Sequence, residues 1–329
     1  MMEEKLQNVK VTLFDEYYMV CNKGTYFKVG MREGRILSLL LTGNTIEMIA
    51  GKEHVTAEEI TYIIDVFESQ GIIGKKIKEK FNPLHIKIPL FNMDKQMGKI
   101  CDCIRKYRIL RLAIFCIGLL LVAVGVLTIS FRFNEIFKVD SLILPFWQYI
   151  LIYFIYTVII FCHELGHGFT CKYFGGTIGK IGVAFILFNP AMYCDISAIR
   201  EFREKHKQVL SSMAGFIVNA IFIGIFSILF HFYPCNFYKL LIILNGTSIL
   251  INAIPFIRLD GYWILSFITG IQNLYSKSIA KLIHIKGIFH YKSWKDYFLL
   301  SYGMINGILI VYCTTRFIVV VAGFITRIL

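Results

Sequence analysis

Residues 159–176 read IIFCHELGHGFTCKYFGG, and they close a long apolar run. His163, Glu164 and His167 all prefer water, yet they stand where the chain reads like lipid. On a helix, residues four apart share a face, so His163 and His167 present two imidazoles to one point. Glu164 beside them is the candidate general base. A carboxylate near the centre of a bilayer costs roughly 2.5–3.5 kcal/mol on insertion scales, so an idle Glu164 there would be selected against. Gly166 and Gly168 leave the helix surface bare, so that another backbone can approach it.

The composition supports a membrane setting. Hydrophobic residues make up 56% of the 329 and charged residues 17%, with a mean hydropathy of +0.62. Soluble domains are typically about 45–50% apolar and about 25% charged. The net charge of +13 does not imply nucleic acid. The basic residues gather beside apolar spans, where the positive-inside rule and anionic lipid account for them. Nine cysteines, several in or beside the spans, read as reduced thiols and not as a disulfide framework. The first residues, MMEEKLQNVK, lack the basic-then-apolar pattern of a signal peptide, which places the N-terminal region in the cytosol.

Outward from the motif, the chain divides into three parts. Residues 1–75 have a soluble pattern. YYMVCNKGTYFKVG reads as two strands around an Asn22-Lys23-Gly24 turn. Three helices follow: one over REGRILSLLL, one capped by Asn44 with Glu47, and one opened by the Thr56-x-x-Glu59 capping box with Ile60, Ile63, Ile64 and Phe67 on one face. Gly71 ends the third helix, and Ile72-Ile73 supply a last strand. This is a winged-helix order. Residues 76–111 form a basic juxtamembrane linker; with Lys75, the stretch carries eleven Lys or Arg against three acids. Residues 112–329 hold the spans, expected at 112–131, from about 146 into 174, at about 209–232, at about 238–256 and within 298–325. GGTIGKIGVAFILFNPAMYCDIS, between the second and third, is too broken by Gly and Pro for a simple helix. It reads as a re-entrant segment lining protein or a wet cavity. The expected fold class is therefore a polytopic α-helical membrane protein of five to six transmembrane helices, with a small α+β winged-helix-like cytosolic domain. The loops at 198–208 and 258–297 carry the Lys and Arg, which sets the HELGH end of its helix on the cytosolic side.

A hydrolytic zinc takes three protein ligands and keeps one position for water. The third candidate is Asp260, just after the Pro255 break in NAIPFIRLDG. Cys171 falls at i+8 from His163, about 12 Å along the axis, and Asp195 in the broken stretch is a further candidate. Asn219 and Asn252 are polar residues within spans. Elsewhere such residues bond between helices or cap backbone freed by proline.

HELGH on the second span, AGFIVN at 214–219 on the third and NAIPFIRLDG at 252–261 on the fourth together resemble the site-2 protease family of intramembrane zinc proteases, over about 145–265. The resemblance implies one zinc ion on His163, His167 and Asp260, with Glu164 as general base. It also implies that Asn219 and Asn252 lie near substrate or the developing oxyanion. Phe216 stands where the family has proline, which weakens the Asn219 assignment. FNPAMYCDISAIR at 188–200 resembles the peptide-maturation branch of that family. The element order of residues 1–75 resembles the PqqD-like domains that take a leader peptide as an added strand. The implied protein is a multi-pass cell-membrane metalloendopeptidase that matures a leader-bearing peptide, beside a peptide-modifying enzyme and an exporter and without nucleic acid. A regulated protease cleaving a membrane-tethered regulator and a non-catalytic zinc-binding membrane protein are the alternatives.

Overall fold

The structure, a computed structural model, describes residues 5–74, 85–138, 143–186, 189–283 and 293–328. The start of the basic linker, residues 139–142 and the stretch 284–292 with His284, Lys286, His290 and Lys292 lie outside the described residues. The chain forms two compact units, 1–246 and 247–329.

The first unit opens with an antiparallel sheet of β1 Val9–Leu13, β2 Tyr18–Asn22 and β3 Thr25–Val29. Lys23 and Gly24, between β2 and β3, both take positive φ, 48° and 80°. A two-residue turn of this kind matches the natural twist of paired strands. β1 is an addition to the two strands read from sequence. Three helices follow, α1 Met31–Leu41, α2 Ile46–Glu53 and α3 Ala57–Ser69. The Thr56 side chain accepts from the Glu59 N–H at 3.2 Å, the expected cap. The cap of α2 is Thr45, not Asn44; Asn44 donates instead to the Leu39 carbonyl. One face of the sheet and the three helices enclose a core that includes Val20, Ile36, Leu37, Ile49, Ile60 and Phe67. Each such side chain contributes about 1.5–3 kcal/mol on burial.

Ile72 and Ile73 do not form a strand. Gly71 takes φ 70° and the Ile72 N–H returns to the Phe67 carbonyl, closing α3 and turning both isoleucines into that core. This is a glycine-terminated helix end.

The basic linker is folded where it is described. β4 His85–Asn92 is followed by α4 Asp94–Lys106, which buries Met97 and Cys101. α5 Arg108–Phe131 leads through the short α6 Phe133–Ile136 to α7 Phe146–Tyr173. The Gly/Pro-broken stretch forms β5 Lys180–Ile186 and β6 Asn189–Cys194. β4 pairs antiparallel with β5, giving a second sheet of order β4-β5-β6. This strand hairpin stands where a re-entrant segment was expected. A 3₁₀ turn, η1 Ser197–Glu201, leads into α8 Lys205–Phe232.

α8 packs on α5 and α7 through opposite faces. A Cβ on Gly224 would lie 2.0 Å from the Leu121 carbonyl of α5, and one on Gly166 of α7 would lie 3.3 Å from the Ala214 carbonyl. Small residues at these crossings bring helix backbones close, which is how helices associate in lipid.

α9 Asn236–Asn252 carries the chain into the second unit. There α10 Asp260–Thr269, α11 Leu274–Ile283 and α12 Trp294–Ile328 follow. Tyr262, Ile271, Leu274, Leu299 and Tyr302 form its core.

Among the described residues, four helices are long and apolar enough to cross a membrane: α5, α7, α8 and residues 294–316 of α12. The expected span at 238–256 is α9, which at 17 residues reaches about 26 Å, short of a hydrocarbon core of about 30 Å. The paired strands β4 and β5 flank α5 and α7 in sequence. With both helices crossing, the two strands meet on one membrane face, the face on which α7 ends with HELGH.

Candidate metal centre

His163 and His167 lie one turn apart on α7 and are 6% and 3% exposed. Their Nε2 atoms face each other at 3.2 Å. His167 Nδ1 lies 2.8 Å from the Ser211 carbonyl on α8. A carbonyl only accepts, so Nδ1 carries the proton and Nε2 keeps its lone pair. His163 Nδ1 lies 3.4 Å from Asn219 Oδ1 on the same helix, a second acceptor that favours the same tautomer. Two lone pairs are thus turned onto one point, where they repel unless a cation stands between them. Anchored outer nitrogens of this kind orient and strengthen imidazole ligands.

Ser211, Gly215 and Asn219 recur at helical spacing of four along α8, and together they form the wall behind the imidazoles. The Gly215 position is decisive, because a Cβ there would lie 2.3 Å from His163 Nε2 and 2.5 Å from His167 Nε2. Only a residue without a side chain leaves room for the two rings and for anything they hold. The donor chemistry, the tautomers and this cradle all fit a zinc ion.

Glu164 Oε2 accepts the backbone N–H of Cys194, at the end of β6, at 2.9 Å. Cys194 ends β6 beside Gly168, whose Cβ would lie 3.0 Å from its sulfur. Burial, then the Glu164 carboxylate, push the Cys194 thiol well above the ordinary range. Cys171 is buried on α7 with its thiol 3.9 Å from the Thr177 carbonyl. Asp195 spends its carboxylate on the start of η1, accepting from the Ser197 N–H at 3.1 Å and the Ser197 hydroxyl at 2.6 Å.

Asn252 and Asp260 belong to the second unit, on either side of the Pro255 break. Asn252 ends α9 and donates to the Ser248 hydroxyl at 3.3 Å. The backbone group at Pro255 is satisfied by Tyr302 of α12, whose hydroxyl donates to that carbonyl at 2.8 Å. Asp260 is the first residue of α10, where the helix dipole favours a carboxylate.

The roles of Ser211 and Gly215 were not drawn from sequence. Gly215 lies inside AGFIVN, so that motif carried the signal. Ser211 acts through its carbonyl, which no side-chain pattern reveals.

No protein-family model and no solved structure matches the chain. Over 122 residues the chain is 29% identical to a Bacillus subtilis (strain 168) protein named "Putative peptide zinc metalloprotease protein YydH". The match covers 36% of this chain, which spans about half (47%) of that relative's length. The chain is thus a distant relative of a protein so named, with two buried imidazoles set on one point beside a carboxylate.

Proposed function

We propose that the protein is an intramembrane zinc endopeptidase of the site-2 protease type. The observation that supports this most is the pair of His163 and His167 Nε2 atoms turned onto one point, with Glu164 one residue along the helix. Asp260 is the third ligand in this reading. It is a carboxylate that opens α10 just past a proline break, and with the two histidines it makes a His₂–carboxylate donor set. Zinc, when bound there, supplies a Lewis acid for the scissile carbonyl and brings the pKa of water near 7.

The chain's own residues do the rest. Ser211 and Asn219 hold the imidazole tautomers. Glu164, kept in place by the Cys194 N–H, takes the proton of the attacking water and returns it to the leaving amine. Asn219 and Asn252 face the substrate side in this reading, Asn219 in addition to its contact with His163.

The substrate we propose is a ribosomally made peptide with a leader. Residues 1–75 form a PqqD-like domain that takes the leader as an added strand, on the cytosolic side of the cell membrane. A peptide-modifying enzyme and an exporter are the proposed partners.

The experiment compares Glu164→Gln with Asp260→Asn in the full chain. Glu164→Gln is expected to abolish cleavage of a precursor peptide and keep its zinc, because the base is not a ligand. Asp260→Asn is expected to lose zinc as well. Full zinc occupancy in Asp260→Asn would move the third position to Cys171 or Asp195, and loss of zinc in Glu164→Gln would refute the assigned role of the base.

A further inference from the structure

Lys10, Cys21 and Tyr26 stand opposite one another across β1, β2 and β3. They occupy the face of the first sheet turned away from its core, since the alternate residues Val11, Val20 and Phe27 pack inward. Two of the three grip a single residue far along the chain. Tyr26 donates its hydroxyl to Glu201 Oε1 at 3.0 Å, and the Lys10 ammonium pairs with Oε2 of the same carboxylate. Lys10 is 67% exposed against 18% for Glu201, so the ion pair alone contributes little. The phenol-to-carboxylate bond is the firmer of the two. Together they hold both oxygens from two different strands, which sets the orientation of Glu201 as well as its position. The same contact lies behind the raised pKa of Tyr26, where burial acts first and the Cys21 and Glu201 groups add to it.

Glu201 ends η1, and the short segment from Cys194 to Glu201 has little slack. The Asp195 N–H reaches the Lys180 carbonyl at 3.1 Å, and the Gly179 N–H reaches the Asp195 carbonyl at 2.7 Å. The Asp195 carboxylate clasps Ser197 twice, and Ala198 and Ile199 are buried. Beyond it, the Gln208 amide holds the Phe202 carbonyl at 2.8 Å. At the near end of this rigid piece, the Cys194 N–H holds Glu164.

We propose that Glu201, gripped by Lys10 and Tyr26, is a positioning residue for Glu164, so that the N-terminal sheet helps set the base as well as recruiting peptide. This rests on the reading of Glu164 as general base. Misplacing a reacting group by about 1 Å costs up to about 10²-fold in rate, so a small shift of β6 is enough to register.

The test uses the full-length, zinc-loaded protein in detergent with fluorescein-labelled casein, a probe that has no leader for the N-terminal domain to bind. Glu201→Lys and Lys10→Glu are each expected to lower kcat about three- to tenfold, with KM and zinc content unchanged. The charge-swapped double variant recovers only part of the loss, because the phenol-to-carboxylate bond is still missing, and Tyr26→Phe falls about three- to tenfold. Amide exchange supplies a readout that needs no substrate: the Cys194 N–H loses protection in Glu201→Lys and regains part of it in the double variant. Unchanged kcat, or unchanged Cys194 protection in Glu201→Lys, would overturn the proposal. Glu164→Gln run alongside separates the two layers. Residual cleavage in that variant sinks the base assignment and this inference together. A dead Glu164→Gln beside a fully active Glu201→Lys sinks the coupling alone.

Discussion

A methyl group on Gly215 would stand 2.3 Å from Nε2 of His163, well inside van der Waals contact. Gly215→Ala is therefore expected to empty the metal site while leaving the helix sound, since alanine favours a helix more than glycine does. Zinc affinity, read by competition with a chromogenic chelator, should fall by more than about tenfold, with helical circular dichroism unchanged. Retention of wild-type affinity would mean that the two rings have room to move, and the cradle argument would fail.

Asn219 lies 3.4 Å from the outer nitrogen of His163. Losing an orienting partner of a metal-bound histidine typically costs about 10- to 100-fold in metal affinity. Asn219→Ala is expected at the low end of that range, because Ser211 still holds His167. If Asn219 served substrate alone, the variant would raise KM and bind zinc normally.

Asp94 ties α4 to the end of α7. Its carboxylate accepts from Lys172 at 2.7 and 2.8 Å and from the Ile178 N–H at 2.8 Å. Burial pushes its pKa up, but the Ile178 N–H and the Lys172 ammonium outweigh burial and hold it below the ordinary carboxylate value. A depressed pKa stabilises the fold above the unfolded-state pKa of about 3.9, and the contribution is lost as pH falls through the folded value. Thermal unfolding in detergent should show Asp94→Asn melting below wild type at neutral pH. The gap should close as the buffer is taken below about pH 4. A gap independent of pH would show that the charge is not what matters.

The thiols serve as topological reporters. Cys103 is exposed on α4, and Cys235 is exposed just past the far end of α8. With the N-terminal domain in the cytosol, a membrane-impermeant maleimide should label Cys235 in intact cells and Cys103 only after lysis, in variants keeping one of the two. Cys116 and Cys313, exposed along α5 and α12, should resist labelling because lipid covers them. The opposite pattern for Cys103 and Cys235 would invert the orientation.

The parts legible in the sequence were those governed by local rules. The imidazole pair follows from helical spacing, the Thr56 cap from one short motif, and α5, α7 and α8 from the length of their apolar runs. Non-local pairing hid the rest. HIKIPLFN carries Pro89 and basic neighbours and looks like a tether, yet it becomes β4 because β5 offers an edge far away in sequence. Ile72 and Ile73 have strand composition, but a positive φ at Gly71 turns them into the core instead. Tyr26 and Lys10 look like ordinary surface residues until Glu201 arrives beside them.

The pairing of β4 with β5 also sets an order of events during synthesis. β4 leaves the ribosome before α5 and α7, while β5 and β6 follow them. The sheet cannot close until both helices have been synthesised, and closing so long a loop is slow as well as entropically costly. The Cys194 amide that steadies Glu164 comes last, with β6. A nascent chain therefore completes its HELGH helix before the support for its carboxylate exists. In the proposed reading, hydrolytic competence is therefore a late step of biogenesis, delayed by topology.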